Sequence, residues 1–162
     1  MTNDALLTAV LDSWDRNNTI LINLLHALAP RELETKATKD GPSVAQLFAH
    51  IHYVRLVFVQ EDAPEFAVEV PEVEWLSERD PARIAEMLSS SASVVTDAVR
   101  KKAENYEQMQ VHYDHPILFL QHMIWHEGYH HGQIKLALKI AGHQLPNEIA
   151  GPLTWQIWMR KK

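Results

Sequence analysis

The chain of 162 residues contains no cysteine. This absence excludes disulfide bonds, thiolate metal sites, iron–sulfur clusters and a protein thiol nucleophile. No apolar run approaches the roughly 18 residues that a membrane-spanning helix needs. The first residues also lack the basic segment that opens a secretory signal. We therefore expect a cytoplasmic protein that does not associate with membranes.

A concentrated basic surface is missing as well. The formal net charge is −6, and a short basic cluster, Arg160, Lys161 and Lys162, lies at the C-terminal end. Proteins that bind nucleic acid usually carry a basic face, so we do not expect a nucleic-acid partner. The unusual feature of the composition is the presence of ten histidines. Their positions decide whether they are surface residues or metal ligands.

The length suits one domain, residues 1–162, and four stretches repeat apolar residues at helical spacing. The first predicted helix covers about residues 2–29 and ends before Pro30. The second begins after Ser43, an N-cap that forms a capping box with Gln46, and ends near residues 61–64. The third begins at Asp80, and the fourth runs from about residue 115 to residue 140, before Gly142.

Two segments lie outside these helices. Residues 65–75 alternate apolar and polar side chains, but an isolated strand would have no partner, so we interpret them as a long crossover. Residues 143–162 are predicted to form a short irregular tail. The sequence therefore predicts an all-α four-helix bundle with a long crossover between its second and third helices.

Helical spacing also predicts which side chains face the core. The predicted inward residues are Leu7, Leu11, Trp14, Asn18, Leu21, Leu25 and Leu28 in the first helix, Leu47, His50, Val54 and Val57 in the second, Ile84, Leu88, Ser91, Val95 and Ala98 in the third, and Phe119, Met123, His126, His130, Gln133, Ala137 and Ile140 in the fourth.

Three histidines are among these inward residues. His126 and His130 lie one helical turn apart, about 40° apart in rotation, so both rings can point at one ion. His50 lies on the core face of the second helix. A buried imidazole needs a partner, and one metal ion satisfies all three rings. We therefore predict a divalent metal site on His50, His126 and His130, although any one of them alone fits a structural core role.

The remaining histidines are weaker candidates. His52 is about 200° from His50 around the helix and is predicted to face outward. His131 points away from His130, and His122 is either a residue beside the ligands or a substrate contact. Four others are predicted at helix ends or on the surface: His26, His112, His115 and His143.

Residues 125–134, WHEGYHHGQI, resemble the fourth-helix signature of the DinB-like superfamily. Residues 47–51, LFAHI, resemble the ligand segment of its second helix, and the likeness covers roughly residues 6–142. The resemblance implies an up-down-down-up bundle, a three-histidine site for nickel, zinc, iron or manganese, and a homodimer. Relatives include bacillithiol transferases and mycothiol-dependent maleylpyruvate isomerase, which implies a low-molecular-weight thiol as cofactor. His131 stands at a position where DinB-like proteins commonly have arginine. This difference puts in doubt any contact that the arginine would make with an anion or a thiol cofactor.

The same stretch contains a literal H-E-x-x-H, the motif of zinc metallopeptidases, in which Glu127 is the general base and Glu148 a potential third ligand. Its context is unfavourable, because Gly142 and Pro146 separate Glu148 from the middle of the helix and no sheet aligns a peptide. His50 is the better-placed third ligand.

Three protein ligands leave a position open on the ion, which is typical of catalytic sites. We therefore expect a metal-dependent transferase or hydrolase that acts on a small molecule. A non-catalytic metal-binding stress-response protein is the alternative. Catalytic residues are not identified by the sequence; the candidates for proton transfer or positioning are His122, Glu127 and Tyr129. Trp14 and Asn18 either line the pocket or belong to the core.

Gly128 and Gly132 lie one turn apart within the fourth helix, where each costs about 1 kcal/mol relative to alanine. Close approach of another helix, from the same chain or from a second subunit, would explain them.

Overall fold

The computed structural model describes residues 3–161, so the predicted start of the first helix at Thr2 lies outside the described residues. Four long helices account for most of the chain: α1 (Asn3–His26), α2 (Val44–Asp62), α3 (Pro81–Glu104) and α4 (Pro116–Ile140). Two short helices follow, α5 (Asn147–Leu153) and α6 (Trp155–Met159). The described residues contain no strand, and Lys36 and Ser43 form an isolated antiparallel bridge. The all-α prediction is confirmed.

Local sequence signals explain most helix ends. Ser43 and Gln46 form the predicted capping box, with hydrogen bonds of 3.2 Å and 2.9 Å between their side chains and backbones. Asp80 caps α3 through the backbone N–H of Ala82 at 2.9 Å. After α4, Gly142 adopts a φ of +78°, a conformation that glycine reaches without strain.

The first helix ends earlier than predicted. α1 stops at His26, and the backbone N–H groups of Ala27 and Leu28 bond to carbonyl groups three residues back. Such tightening is common in the last turn of a helix. Pro30 then opens a 3-10 helix, Pro30–Glu34, rather than a loop.

Two apolar clusters fill the interior, one toward each end of the long helices. One cluster combines the C-terminal halves of α1 and α4 with the N-terminal halves of α2 and α3. The other combines the opposite halves of the same four helices. Between them lies a layer of buried polar side chains on all four helices, which includes the predicted metal ligands His50 and His130. The third predicted ligand, His126, is half-buried.

The predicted inward faces are largely confirmed in α1 and α3, but that of α4 is wrong at its C-terminal end. Ile140 is 60% exposed, whereas Ile134 and Leu138 are buried. An α-helix has 3.6 residues per turn, so a seam drawn with a strict seven-residue repeat drifts by about 20° per heptad. The drift moves the buried face from Gln133 and Ile140 toward Ile134 and Leu138.

Residues 63–80 form the predicted crossover between α2 and α3. Apart from a short 3-10 helix, Pro64–Phe66, it is irregular, and the interpretation of residues 65–75 as a connection rather than a strand agrees with the structure. The Gln46 side chain donates to the Trp75 carbonyl at 3.1 Å. This bond ties the crossover to the first turn of α2.

The prediction of an irregular C-terminal tail is wrong, because the tail contains two short helices, α5 and α6. The Arg16 guanidinium on α1 donates to the carbonyls of Ile157, at 2.5 Å, and Trp158, which fixes α6 against α1. Helix propensity did not predict α5, because Gly151 and Pro152, two residues unfavourable in helices, lie inside it. Within residues 3–161, no helix has the length and apolarity that a membrane span requires.

Candidate metal centre

The structure brings His50, His126 and His130 together. One ring nitrogen from each lies within 4.8 Å of those of the other two. The Nε2 atoms of His126 and His130 are 3.0 Å apart. The ring centre of His50 is 5.3 Å from that of His126 and 4.6 Å from that of His130. The group predicted from helical spacing therefore forms in three dimensions between α2 and α4.

Burial keeps these imidazoles neutral. Burial and, to a smaller extent, the nearby His130 and His50 together lower the pKa of His126 to about 3. Burial likewise lowers the pKa of His50, against the opposing effect of Glu74, and that of His130. A neutral imidazole is the form that binds metal. The rings are thus held in their ligand form without needing a high pH.

Two of the three rings have a neighbour beside Nδ1, one from α4 and one from the crossover. Gln133, one turn after His130, lies with its Oε1 2.7 Å from Nδ1 of His130. Because an amide oxygen only accepts, Nδ1 carries the proton and the Nε2 lone pair points toward the other histidines. An Oε1 atom of Glu74 lies 2.8 Å from Nδ1 of His50, although the angle is not that of a hydrogen bond. The crossover thus reaches the site.

Trp75, the next residue of the crossover, covers His50. Its ring is parallel to the imidazole, with an interplanar angle of 1° and a centroid separation of 4.2 Å. The stack restricts rotation of His50 and shields one side of the ring from water. Neither Glu74 nor Trp75 was predicted, because a residue in an irregular connection carries no periodic signal.

These residues fit a divalent ion. The Nε2 atoms of His126 and His130 face each other, while Nδ1 of His130 is already engaged by Gln133. Three neutral imidazoles are a donor set suited to zinc, iron, nickel or copper, and they leave further coordination positions for other ligands.

Glu127 lies away from this nitrogen cluster, in a buried ion pair. Its Oε1 atom accepts from Nε of Arg55 at 2.6 Å, and its Oε2 atom accepts from the same guanidinium at 2.8 Å and from Asn17 at 2.5 Å. Only 1% of Glu127 is exposed. Both oxygens are occupied, so the carboxylate is not free to activate water. Glu148, the other residue of the peptidase interpretation, is exposed on α5.

The rest of the Arg55 guanidinium is also paired. Its NH1 group donates to Asn18 at 3.0 Å, to the Leu88 carbonyl at 2.7 Å and to Ser91 at 3.3 Å. It lies 4.7 Å from the centre of the Trp14 ring. Trp14 and the half-buried Asn18 therefore contact the buried polar layer, and Arg55 was not among the residues predicted from sequence.

His122 has a partner that sequence reasoning missed. The Tyr113 hydroxyl lies 2.6 Å from Nδ1 of His122. Burial, together with Asp62 and Glu61, raises the pKa of Tyr113 to about 12, so the phenol keeps a proton that it can donate to this nitrogen. When the phenol donates, Nδ1 accepts and the ring N–H of His122 is on Nε2. Tyr129, the other candidate on α4, is 58% exposed with its ring 5.1 Å from that of His130.

The prediction that His52 faces outward is wrong. His52 is buried, and its Nδ1 atom lies 2.8 Å from the Met87 carbonyl of α3. α2 is covered on nearly all sides, so it has no outward face at this level. His131 points away from the cluster, as predicted, with its buried Nε2 atom unpartnered.

The other histidines lie near helix ends. His112 pairs with the buried Asp62 at 2.8 Å, and His115 caps α4 through the Ile117 N–H at 3.1 Å. His26 closes α1, and His143 lies 3.3 Å from Glu32.

Comparison with models of protein families gives a match over most of the chain. The model of the DinB family covers residues 1–154, a span that includes all four long helices and the three clustered histidines. No curated protein and no solved structure matched the chain. Because the match spans nearly the whole sequence, the chain belongs to the DinB family.

Proposed function

We propose that this protein is a metal-dependent enzyme that acts on a small molecule, as a thiol-dependent transferase or a hydrolase. The observation that carries the proposal is the convergence of three imidazoles between α2 and α4, each with its pKa lowered by burial. Three protein ligands leave positions for water or substrate. Family membership supports a metal site at these positions.

The residues of the site have separable roles in this proposal. His50, His126 and His130 hold the ion, which supplies Lewis acidity to a bound oxygen or sulfur atom. Gln133 fixes the tautomer of His130, and Trp75 limits water at His50. His122 presents an Nε2–H donor fixed by Tyr113, which suits it to hydrogen-bond a polar group of the substrate. Because the chain has no cysteine, any reacting thiol comes from a small molecule.

The second candidate is a non-catalytic metal-binding stress-response protein. The site uses the same three ligands in both cases, so the geometry favours neither on its own. The buried Glu127 counts against a third candidate, the metallopeptidase.

The proposal includes an up-down-down-up four-helix bundle in a cytoplasmic setting. The two apolar clusters support the helix directions, because each combines the start of α2 and α3 with the end of α1 and α4, or the reverse. The cytoplasmic setting is supported only by the sequence.

Metal analysis of the purified protein and its variants tests the site. The wild type should carry about one divalent ion per chain, and His126→Ala, His130→Ala and His50→Ala should each abolish stoichiometric binding. His52→Ala is the matched control, because His52 lies on the same helix and is equally buried, yet bonds to α3. Loss of metal in His52→Ala but not in His50→Ala would overturn the ligand assignment.

Turnover assays then distinguish an enzyme from a non-catalytic metal-binding protein. Metal-loaded wild type should transfer or hydrolyse at least one member of a panel of low-molecular-weight thiols and electrophiles, and His126→Ala should not. Stoichiometric metal binding without turnover of any pair would favour the non-catalytic alternative.

A further inference from the structure

A cavity of about 270 Å³ lies between α1, α4 and α6. Its walls include Gly128, His131 and Lys135 of α4, and Trp155 and Trp158 of α6. At roughly 30 Å³ per water molecule, the volume equals that of about nine waters, which is enough for a small organic molecule. We name this space the α6 cavity.

One face of α4 forms a wall of the α6 cavity. At 100° per residue, the four α4 residues of this wall lie within an arc of about 60°: Ile124, Gly128, His131 and Lys135. The candidate ligands His126 and His130 are centred about 150° around the helix from that arc. The α6 cavity is therefore separate from the candidate metal centre.

Gly128 keeps the α6 cavity open. A Cβ atom at this residue would meet nothing within 4 Å, and the same holds for Gly132. The explanation of the two glycines by close approach of a helix of the same chain is therefore wrong for the described residues, and the approach of a second subunit stays a prediction. A larger side chain at residue 128 would extend into the cavity that Gly128 lines.

His131 offers the α6 cavity an unused polar atom. Within residues 3–161, two buried side-chain polar atoms lack a hydrogen-bond partner, Nδ1 of His50 and Nε2 of His131. The first belongs to the candidate metal centre. Because buried polar atoms are nearly always hydrogen-bonded, the second indicates a ligand with a polar group. Burial and, to a smaller extent, Lys135 lower the pKa of His131 to about 4, so the ring is neutral and Nε2 can donate in one tautomer.

Lys135 gives the α6 cavity a positive charge. It is half-buried, one turn after His131, and its ammonium lies 5.4 Å from the centre of the Trp155 ring. In the part of the chain that the structure describes, Lys135 forms no ion pair with an acidic residue, and no Asp or Glu lines the cavity. A single ammonium complements a ligand with one negative charge, such as a carboxylate, whereas phosphate sites commonly use arginine or several backbone N–H groups.

Two indole rings line another part of the α6 cavity. Trp155 is 44% exposed and Trp158 is 43% exposed, so both present ring surface to a ligand. The Arg16 guanidinium donates to the Ile157 and Trp158 carbonyls, which holds these indoles on a fixed element. Aromatic rings favour aromatic partners in stacked or edge-to-face arrangements. The wall therefore favours a ligand with an aromatic ring.

We propose that the α6 cavity binds a small aromatic carboxylate. Lys135 compensates its charge, and Nε2 of His131 donates to one of its oxygens. Its ring lies against the indoles of Trp155 and Trp158, in the space that Gly128 leaves open. The proposal does not depend on the proposed function, since none of these residues belongs to the candidate metal centre.

Phenylacetate is a suitable probe, because it combines one carboxylate with one aromatic ring. Added to the purified protein, it should cause saturable NMR shifts of the indole N–H signals of Trp155 and Trp158, which Trp155→Phe and Trp158→Phe identify. Phenylacetamide, its neutral analogue, should bind at least about tenfold more weakly. Shifts confined to Trp75, which stacks on His50, would place the ligand at the metal centre and overturn the proposal, as would the absence of any saturable shift.

Two pairs of variants test the assigned contacts. Lys135→Met should weaken phenylacetate binding at least about tenfold, whereas Lys139→Met, at an exposed position in the last turn of α4, should leave it unchanged. Gly128→Leu should abolish binding by filling the cavity, and Gly132→Leu, one turn later and outside the cavity wall, should retain it. Circular dichroism checks that each variant is folded. Equal affinities for the two members of either pair would refute the proposed site.

Discussion

At the scale of single residues, Glu127 shows how a catalytic motif can occur in a structural setting. The H-E-x-x-H spacing places two ring nitrogens together, as in a peptidase, but the intervening glutamate turns into the core and pairs with Arg55. Replacing one member of a buried ion pair leaves the charge of the other buried and unpaired, which lowers the free energy of unfolding by about 3–5 kcal/mol.

We therefore expect Glu127→Gln to lower the free energy of unfolding by a few kcal/mol in urea denaturation. Glu148→Gln, at an exposed position in α5, should change it by less than about 0.5 kcal/mol. Neither the wild type nor the variant should cleave casein above a metal-stripped control. Casein cleavage by the wild type that disappears in Glu127→Gln would restore the peptidase interpretation.

The cluster of His50, His126 and His130 could be predicted from sequence because each residue obeys the spacing of an inward helix face. His52 could not be placed, because α2 is buried on most sides and helical spacing then distinguishes nothing. Arg55 was missed for a related reason: a charged residue in a core is expected only when its partners are known, and those partners, Asn18, Ser91 and Glu127, come from three other helices.

At the scale of elements, the crossover does more than connect α2 to α3. It places Glu74 and Trp75 against His50. These contacts could not be predicted from sequence, because an irregular segment has no periodic pattern of side chains. Carboxylates that contact metal-binding histidines commonly raise metal affinity by 10–100-fold.

Glu74→Ala should therefore weaken metal binding by about tenfold or more, with little loss of helix content. Glu72→Ala, exposed on the same segment, is the matched control and should bind as tightly as wild type. Competition with a chromogenic chelator measures both affinities. Equal affinities for the two variants would show that Glu74 does not orient His50.

Trp75 should report on the same site. Because its ring stacks on His50, binding of a quenching ion such as nickel should reduce tryptophan fluorescence, and Trp75→Phe should remove most of that change. Trp158→Phe, on α6, should retain it. A metal-dependent signal that survives Trp75→Phe would place the ion elsewhere.

At the scale of the whole molecule, burial of histidines couples stability to pH. The pKa of His126 falls to about 3 and that of His131 to about 4, whereas in an unfolded chain histidine titrates near 6.5. Below about pH 6.5 the unfolded state thus binds more protons than the folded state. By linkage, the free energy of unfolding of the metal-free protein should then decrease as the pH falls.

Urea denaturation of metal-free protein between pH 7.5 and pH 5 checks this sign. The wild type should lose stability across that range, and His131→Gln should lose less, because it removes one of the titrating groups without touching the three clustered histidines. A stability that is flat or rises on acidification would contradict the expected linkage. The metal-loaded protein should also release its ion on acidification, since protons compete for the ligand nitrogens.

The polar layer between the two apolar clusters has a further consequence, for the alignment of the helices along their axes. Apolar contacts are not directional and can re-form after a helix shifts along its axis. A shift of α4 by one turn, about 5.4 Å, would instead separate Glu127 from Arg55 and leave both charges buried and unpaired. The ion pair thus sets the axial alignment of α4 relative to α2. Because His126 is the neighbour of Glu127 in sequence and His130 follows one turn later, the same ion pair also brings both rings level with His50.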